Sequence, residues 1–557
     1  MKPWIWIQHY DPLGQPLLST AMAAIPVVTL LGCLAGLRMR VHFAAALGLA
    51  AALAVAIFAY RMPLAMSLAA AVFGAGYGVF PIGWIILNVI FLYQLTVKKA
   101  LFEVLRNSLA SVTPDPRIQV ILIAFAFGAF IEGLAGFGTP VAITGALLIQ
   151  LGFRPLEASC LALIANTAPV AFGSLGIPIT TLSQVTGMDA LALSKMVGRQ
   201  LPFFSLIVPA WVCVAFAGWR GLRGVWPAVL TAGVAFAVPQ FLVSNFHGPW
   251  LVDIVSGACS ICALVVLLRR WQPRDGWQTV VAVNRPAART HSRAETFRAW
   301  RPWVLLTAFL FVWGLPVAKN FLDGKATWAA PARTLIAPEF AMPGLHNLVQ
   351  RSPPVVPETT PPEKALFRLN WLSATGTGIL FAALLAGGLM GFTSREMLRT
   401  YAETFWRVRF SLLTIAAMLA LGNVTKYSGT DATLGLAMAR TGALYPFFGT
   451  LLGWLGVALT GSDTASNVLF GSLQKITAQQ AGLSPILMGA ANSSGGVMGK
   501  MIDAQSIVVA STATGFQGQE GAILRRVFWH SLALAALVGV LVYLQATVPP
   551  FTHLVVK

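Results

Sequence analysis

The chain reads as an all-α, polytopic membrane protein with inverted structural repeats, two re-entrant helical hairpins and discontinuous helices. Three observations predict this. Of its 557 residues, 57% are hydrophobic and only 10% charged, against about 25% charged in a soluble domain. Apolar runs recur from residue 18 to residue 549, each long enough to cross a hydrocarbon core about 30 Å thick. Two polar stretches far apart look like one motif: Ala165-Asn166-Thr167-Ala168-Pro169, running on to Gly173, and Ala491-Asn492-Ser493-Ser494-Gly495-Gly496, running on to Gly499. Paired interruptions of this kind, at corresponding positions of two halves, point to a transporter's binding site.

The apolar runs do not alternate with polar residues, which excludes a membrane β-barrel. The net charge of +19 collects in short connections, as the positive-inside bias requires, and no soluble basic domain is present to read nucleic acid.

Residues 1–17 form a periplasmic N-terminal segment without the pattern of a cleaved signal peptide. Spans near 18–37 and 43–60 flank Leu37-Arg38-Met39-Arg40, a cytoplasmic connection. The next run, 64–96, passes Gly74, Gly76, Gly78, Pro81 and Gly83 before Lys98, Lys99, Arg106 and Arg117, again cytoplasmic. Interval 118–151 is too short for two crossings and long for one. Gly136, Gly138 and Pro140 break it in the middle, so it reads as a hairpin of two half-helices. Charge parity then requires one further crossing before residue 203, broken at Asn166, which completes a first half over 18–202.

Residues 203–390 supply intervening helices near 203–218, 226–245, 250–270, 302–320 and 371–390. Among them lie a cytoplasmic basic loop, 271–301, and a periplasmic Pro-rich loop, 321–370. The second half, 391–557, repeats the pattern with a hairpin at 445–478 broken around Gly461, and a segment broken at Asn492, Gly495 and Gly496. This hairpin enters from outside, so the two halves have inverted topology.

Glu132 and Asp463 stand at the hairpin tips. A carboxylate at membrane depth costs roughly 2.5 kcal/mol or more, so it persists where it is paired, hydrated or useful, and proton coupling is the functional reading. The competing reading is that both cap half-helix N-termini. Asn166, Thr167, Asn492 and Ser493 offer amides and hydroxyls beside helix breaks, suited to binding an anion, or else glue between neighbouring helices. Lys500 is the clearest fixed cation near the site; it either balances a substrate carboxylate or pairs with Asp503 at i+3. The five cysteines lie in apolar runs without histidines at ligand spacing, and no nucleotide, metal or cofactor motif is present.

The stretches FGAFIEGLAGFGTPVAIT (127–144), ANTAPVAFGSLGIPI (165–179), GWLGVALTGSDTASN (453–467) and GGVMGKMIDAQSI (495–507) strongly resemble the bacterial L-lactate permease family. The resemblance implies proton-coupled uptake of lactate, often glycolate too, across the inner membrane, with no enzymatic step and no cofactor. In the wider transporter group, paired Ser/Ala-Asn-Thr motifs hold substrate and coupling ion. Asn166-Thr167 and Asn492-Ser493 match those positions, Ser493 departing from threonine but keeping its hydroxyl. The expected partners are a small 2-hydroxy monocarboxylate, protons and membrane lipid, for a single chain or a homo-oligomer. Two alternatives stand beside this reading: a sodium-coupled carboxylate symporter and, from another class, a membrane-embedded transferase.

Overall fold

A computed structural model describes residues 5–556 apart from 34–36, 38, 111, 137, 274–290, 325–332, 441 and 517–518. Most of the basic loop, part of the Pro-rich loop and Phe137 in the first hairpin tip therefore lie outside the described residues.

The described chain is overwhelmingly helical, because backbone groups in hydrocarbon must be satisfied within their own segment. Among the described residues, seven helices are long and apolar enough to cross a membrane, or eight if one bent pair counts as a span. The four short strands lie outside these spans. Trp6–Ile7 pairs in parallel with Val349–Gln350, and Glu339–Ala341 pairs antiparallel with Leu366–Arg368. The first pairing ties the N-terminal segment to the Pro-rich loop, which puts both on one side of the protein.

Glycines set how closely the helices approach. Val41–Ala54 packs between Pro16–Leu31 and the long helix Ser394–Ser428. The glycine-interrupted run forms Leu64–Tyr77 and Trp84–Lys98, joined by Gly78–Gly83, where Phe80 leaves helical geometry (φ −139°, ψ 126°). A Cβ on Gly74 would collide with the Leu419 carbonyl, and one on Gly78 would stand 2.5 Å from Ala416 Cα. This is the small-residue packing that lets helix backbones meet in a bilayer, where no hydrophobic force drives helices together.

Leu201–Phe246 contains two helices joined at Gly218 (φ +66°), next to the connection marked by Arg220 and Arg223. Arg117 departs from expectation. It is 0% exposed, pairs with Asp115 Oδ2 at 2.7 Å and donates to the Gly221 carbonyl at 3.2 Å, so it anchors the foot of the first hairpin instead of joining a solvated loop cluster. Cys262, although it lies in an apolar run, is exposed.

Both hairpins form. In the first, helical chain from Pro116 to Ala135 reverses at Gly136 (φ +39°) and Gly138 (φ +82°) into Thr139–Gln150, with Pro140 in its first turn. In the second, Tyr445–Thr460 reverses at Gly461 (φ +71°) into Asp463–Gln480. The leading arms are longer than half-helices. Pro116–Leu134 and Gly442–Thr460 each run for 19 residues, roughly 28 Å at about 1.5 Å per residue. Only Thr139–Gln150, with 12 residues, fits the half-helix expectation in length.

The two Asn motifs differ in local structure. Pro155–Ala165 ends at Asn166, and the chain bends by 63° before continuing as Val170–Thr186. In the second copy the expected break at Asn492, Gly495 and Gly496 does not occur. Pro485–Gly499 runs unbroken through all three, and the interruption falls at Lys500–Ile502, before Ala504–Thr514. Those glycines serve packing: a Cβ on Gly495 would collide with the Thr450 carbonyl, and one on Gly499 would stand 2.9 Å from Ala458 N. Across the contact, a Cβ on Gly453 would strike the Asn492 carbonyl.

Candidate functional site

Glu132 lies in the last turn of Gly128–Ala135. The helix dipole disfavours negative charge at that end, so the N-terminal capping reading fails for this residue. Its carboxylate accepts a hydrogen bond from Asn166 Nδ2 at 3.2 Å. Gly173 makes room for it, since a Cβ there would stand 2.6 Å from Glu132 Oε1.

Asp463 is the first residue of its helix, where the dipole favours it, while Ser462 makes the cap by accepting from Ala465 N at 3.3 Å. Ser493 Oγ donates to Asp463 Oδ2, and Asn467 Nδ2 lies 3.4 Å from the same oxygen. A Cβ on Gly496 would collide with Asp463 Oδ1. Each hairpin carboxylate is thus held by a polar side chain of the nearby Asn motif, with a glycine of the following residues leaving space for it.

Asn492 is committed to an amide network. Its Nδ2 donates to Asn467 Oδ1 at 2.9 Å, and its Oδ1 accepts from Gln474 Nε2 at 3.2 Å. Tyr445 in turn donates to Gln474 Oε1 at 2.7 Å. Thr167 Oγ1 donates to the Ile164 carbonyl at 2.8 Å.

The two hairpin tips line one cavity of about 460 Å3, to which Glu132, Ser174, Gly461, Asp463 and Lys500 contribute. Asn166, Thr167, Asn492 and Ser493 are buried behind this wall and do not line it. Arg40, His42 and Phe410 also line the cavity, with His42 stacked on Phe410 at 4.7 Å. Arg40 is exposed, so the cavity reaches the side of the Leu37–Arg40 connection.

Lys500 is 6% exposed and makes the i+3 pairing with Asp503 considered for it. Its Nζ donates to the Gly461 carbonyl at 2.6 Å and lies 3.4 Å from Asp503 Oδ2, while the side chain still faces the cavity. Asp503 caps the next helix by accepting from Ser506 N at 2.7 Å.

Sequence reasoning missed Ser174 and Asp253. Ser174 follows Gly173 as Lys500 follows Gly499, so laying the two motifs over one another marks the position. Asp253 was visible as an acid inside the apolar run 250–270. His530 bonds Trp211 Nε1 at 3.0 Å through Nδ1, as a packed histidine.

The sequence matches the model of a family described as L-lactate permease over residues 19–549. It is 45% identical to the glycolate permease GlcA of Escherichia coli (strain K12), over 99% of this chain and 100% of that protein. It is also 45% identical to the L-lactate permease of the same strain, over 98% of each. Among solved structures, the YdaH transporter of Alcanivorax borkumensis gives a TM-score of 0.42 at 15% identity, covering 85% of this chain and 86% of that one. The chain belongs to the L-lactate permease family: it is a multi-pass transporter of the bacterial inner membrane, not an enzyme.

Proposed function

We propose that this permease takes up L-lactate, with D-lactate and glycolate as further substrates, in symport with protons. One observation carries the reading: at the hairpin tips two carboxylates and a single lysine line the same cavity, with Arg40 and His42 on the side of the Leu37–Arg40 connection. The lysine is already shared with Asp503. With Glu132 and Asp463 both ionised and Lys500 shared with Asp503, an entering monocarboxylate meets more acid than base, even with Arg40 counted at the exposed end of the lining. Protons on these acids remove that repulsion. Anion and proton therefore raise each other's affinity, and such coupling is reciprocal by linkage.

In this reading Lys500 receives the substrate carboxylate and Ser174 faces the 2-hydroxyl. Asn166 and Ser493 hold the two proton-carrying carboxylates, while Thr167 and Asn492 brace the backbone behind them. A dicarboxylate would want a second fixed cation beside Lys500, whereas Arg40, the other one in the lining, is exposed on the side of the Leu37–Arg40 connection. With the Leu37–Arg40 connection in the cytoplasm, the cavity is open inward, and the two halves, 18–202 and 391–557, face each other with opposite topology.

The test is counterflow in liposomes with labelled L-lactate, D-lactate, glycolate, pyruvate and succinate, with and without a pH gradient, in sodium-free buffer. Lactate exchange and pH-driven accumulation without sodium are expected. A sodium requirement or a preference for succinate overturns the proposal, and chemically altered substrate would revive the transferase alternative.

A further inference from the structure

Asp253 opens the helix Val252–Leu268, which packs on the back of the first hairpin, away from the cavity. It is 1% exposed, and neither carboxylate oxygen has a hydrogen-bond partner. Burying an unpaired carboxylate costs several kcal/mol unless a proton neutralises it. The approach to the hairpin is made by glycines. A Cβ on Gly133 would stand 2.9 Å from Asp253 Cβ, and one on Gly257 would stand 2.8 Å from Phe130 N. The two backbones therefore touch at the turn that carries Glu132.

The ionisable groups of the elements packed on this helix are few. Gly173–Thr186 carries none; Leu201–Phe246 carries Cys213, with Arg220 and Arg223 at its inner connection; the first hairpin arm carries Arg117 and Glu132. Arg117 is held by Asp115 and the Gly221 carbonyl. Glu132 is the acid beside Gly133, the residue whose backbone meets Asp253. Asp253 also stands at the end of its helix remote from Arg269 and Arg270, and the proposed orientation places that end toward the outer side.

We propose that Asp253 is the outer proton-loading residue of the transporter and passes its proton to Glu132. The O–H bond on Asp253 breaks as one forms on Glu132, and Asp253 is then reprotonated from the outer face. The inference rests on the proton-symport reading and adds the route by which the proton arrives.

The test is Asp253→Asn in liposomes, with Asp253→Glu as the conservative variant and size-exclusion chromatography to confirm folding. Amide substitution is expected to lower pH-gradient-driven lactate accumulation by about tenfold or more, while lactate counterflow without a gradient stays within about twofold and glutamate restores part of the accumulation. Accumulation by folded Asp253→Asn at the wild-type level overturns the proposal. Equal loss of accumulation and counterflow also overturns it, since that is the signature of a positioning residue. If wild-type accumulation itself ignores the pH gradient, it is the symport reading that fails, and this proposal with it.

Discussion

Replacing Lys500 with glutamine removes the cation that faces the two cavity carboxylates while leaving an amide able to donate to the Gly461 carbonyl. A substrate carboxylate about 4 Å from the ammonium gains about 4 kcal/mol where the effective dielectric is about 20. The lysine is not wholly free for this task, because Asp503 Oδ2 lies 3.4 Å away and the Gly461 carbonyl 2.6 Å. Taking half the interaction as available leaves about 2 kcal/mol, which is about 30-fold in affinity. The assay is the concentration dependence of lactate counterflow in liposomes, and Lys500→Gln is expected to raise KM by about that factor. A rise below about threefold refutes the assignment of Lys500 to substrate. The double variant Lys500→Gln with Asp503→Asn separates the two roles: it keeps the loss if the lysine binds lactate and recovers if the lysine only neutralises Asp503.

The remaining predictions concern coupling and packing. Glu132→Gln and Asp463→Asn are each expected to abolish pH-driven accumulation in vesicles; if both leave it unchanged, neither acid carries the proton. Ser493→Ala takes a donor from a buried carboxylate at a cost of about 1–3 kcal/mol, so its unfolding temperature in detergent falls, whereas Ser493→Thr, which keeps the hydroxyl, stays near wild type. Gly495→Ala forces a methyl into the Thr450 carbonyl and costs about 1–3 kcal/mol of overpacking. Its unfolding temperature in detergent is expected to fall, while Gly388→Ala, at a helical glycine with open space around it, does not lower it.

The hairpins were legible because glycines, a proline and polar residues interrupt long apolar intervals, and nothing but a chain reversal suits Gly136-Phe137-Gly138 or Gly461. The second break was misplaced for a physical reason. Glycine weakens a helix in water, but between packed membrane helices Gly495 and Gly496 serve close approach and the helix persists. The true break had a local signal, since Asp503 before Ala504-Gln505-Ser506 is an N-cap pattern. The placement of Asn166 and Ser493 behind the carboxylates was not legible, because it depends on which helix faces which hairpin. Asp253 escaped notice because an acid at the start of a span reads as an interfacial residue until the neighbouring hairpin is seen to cover it.

The glycine-lined contact between Tyr445–Thr460 and Pro485–Gly499 also constrains motion. Helices joined backbone to backbone cannot swing past one another without tearing the carbonyl contacts at Thr450 and Asn492. No hinge therefore lies between the second hairpin's leading arm and the helix bearing Ser493. The two helices are expected to move together as one unit, so distances between labels placed on them stay fixed through the transport cycle.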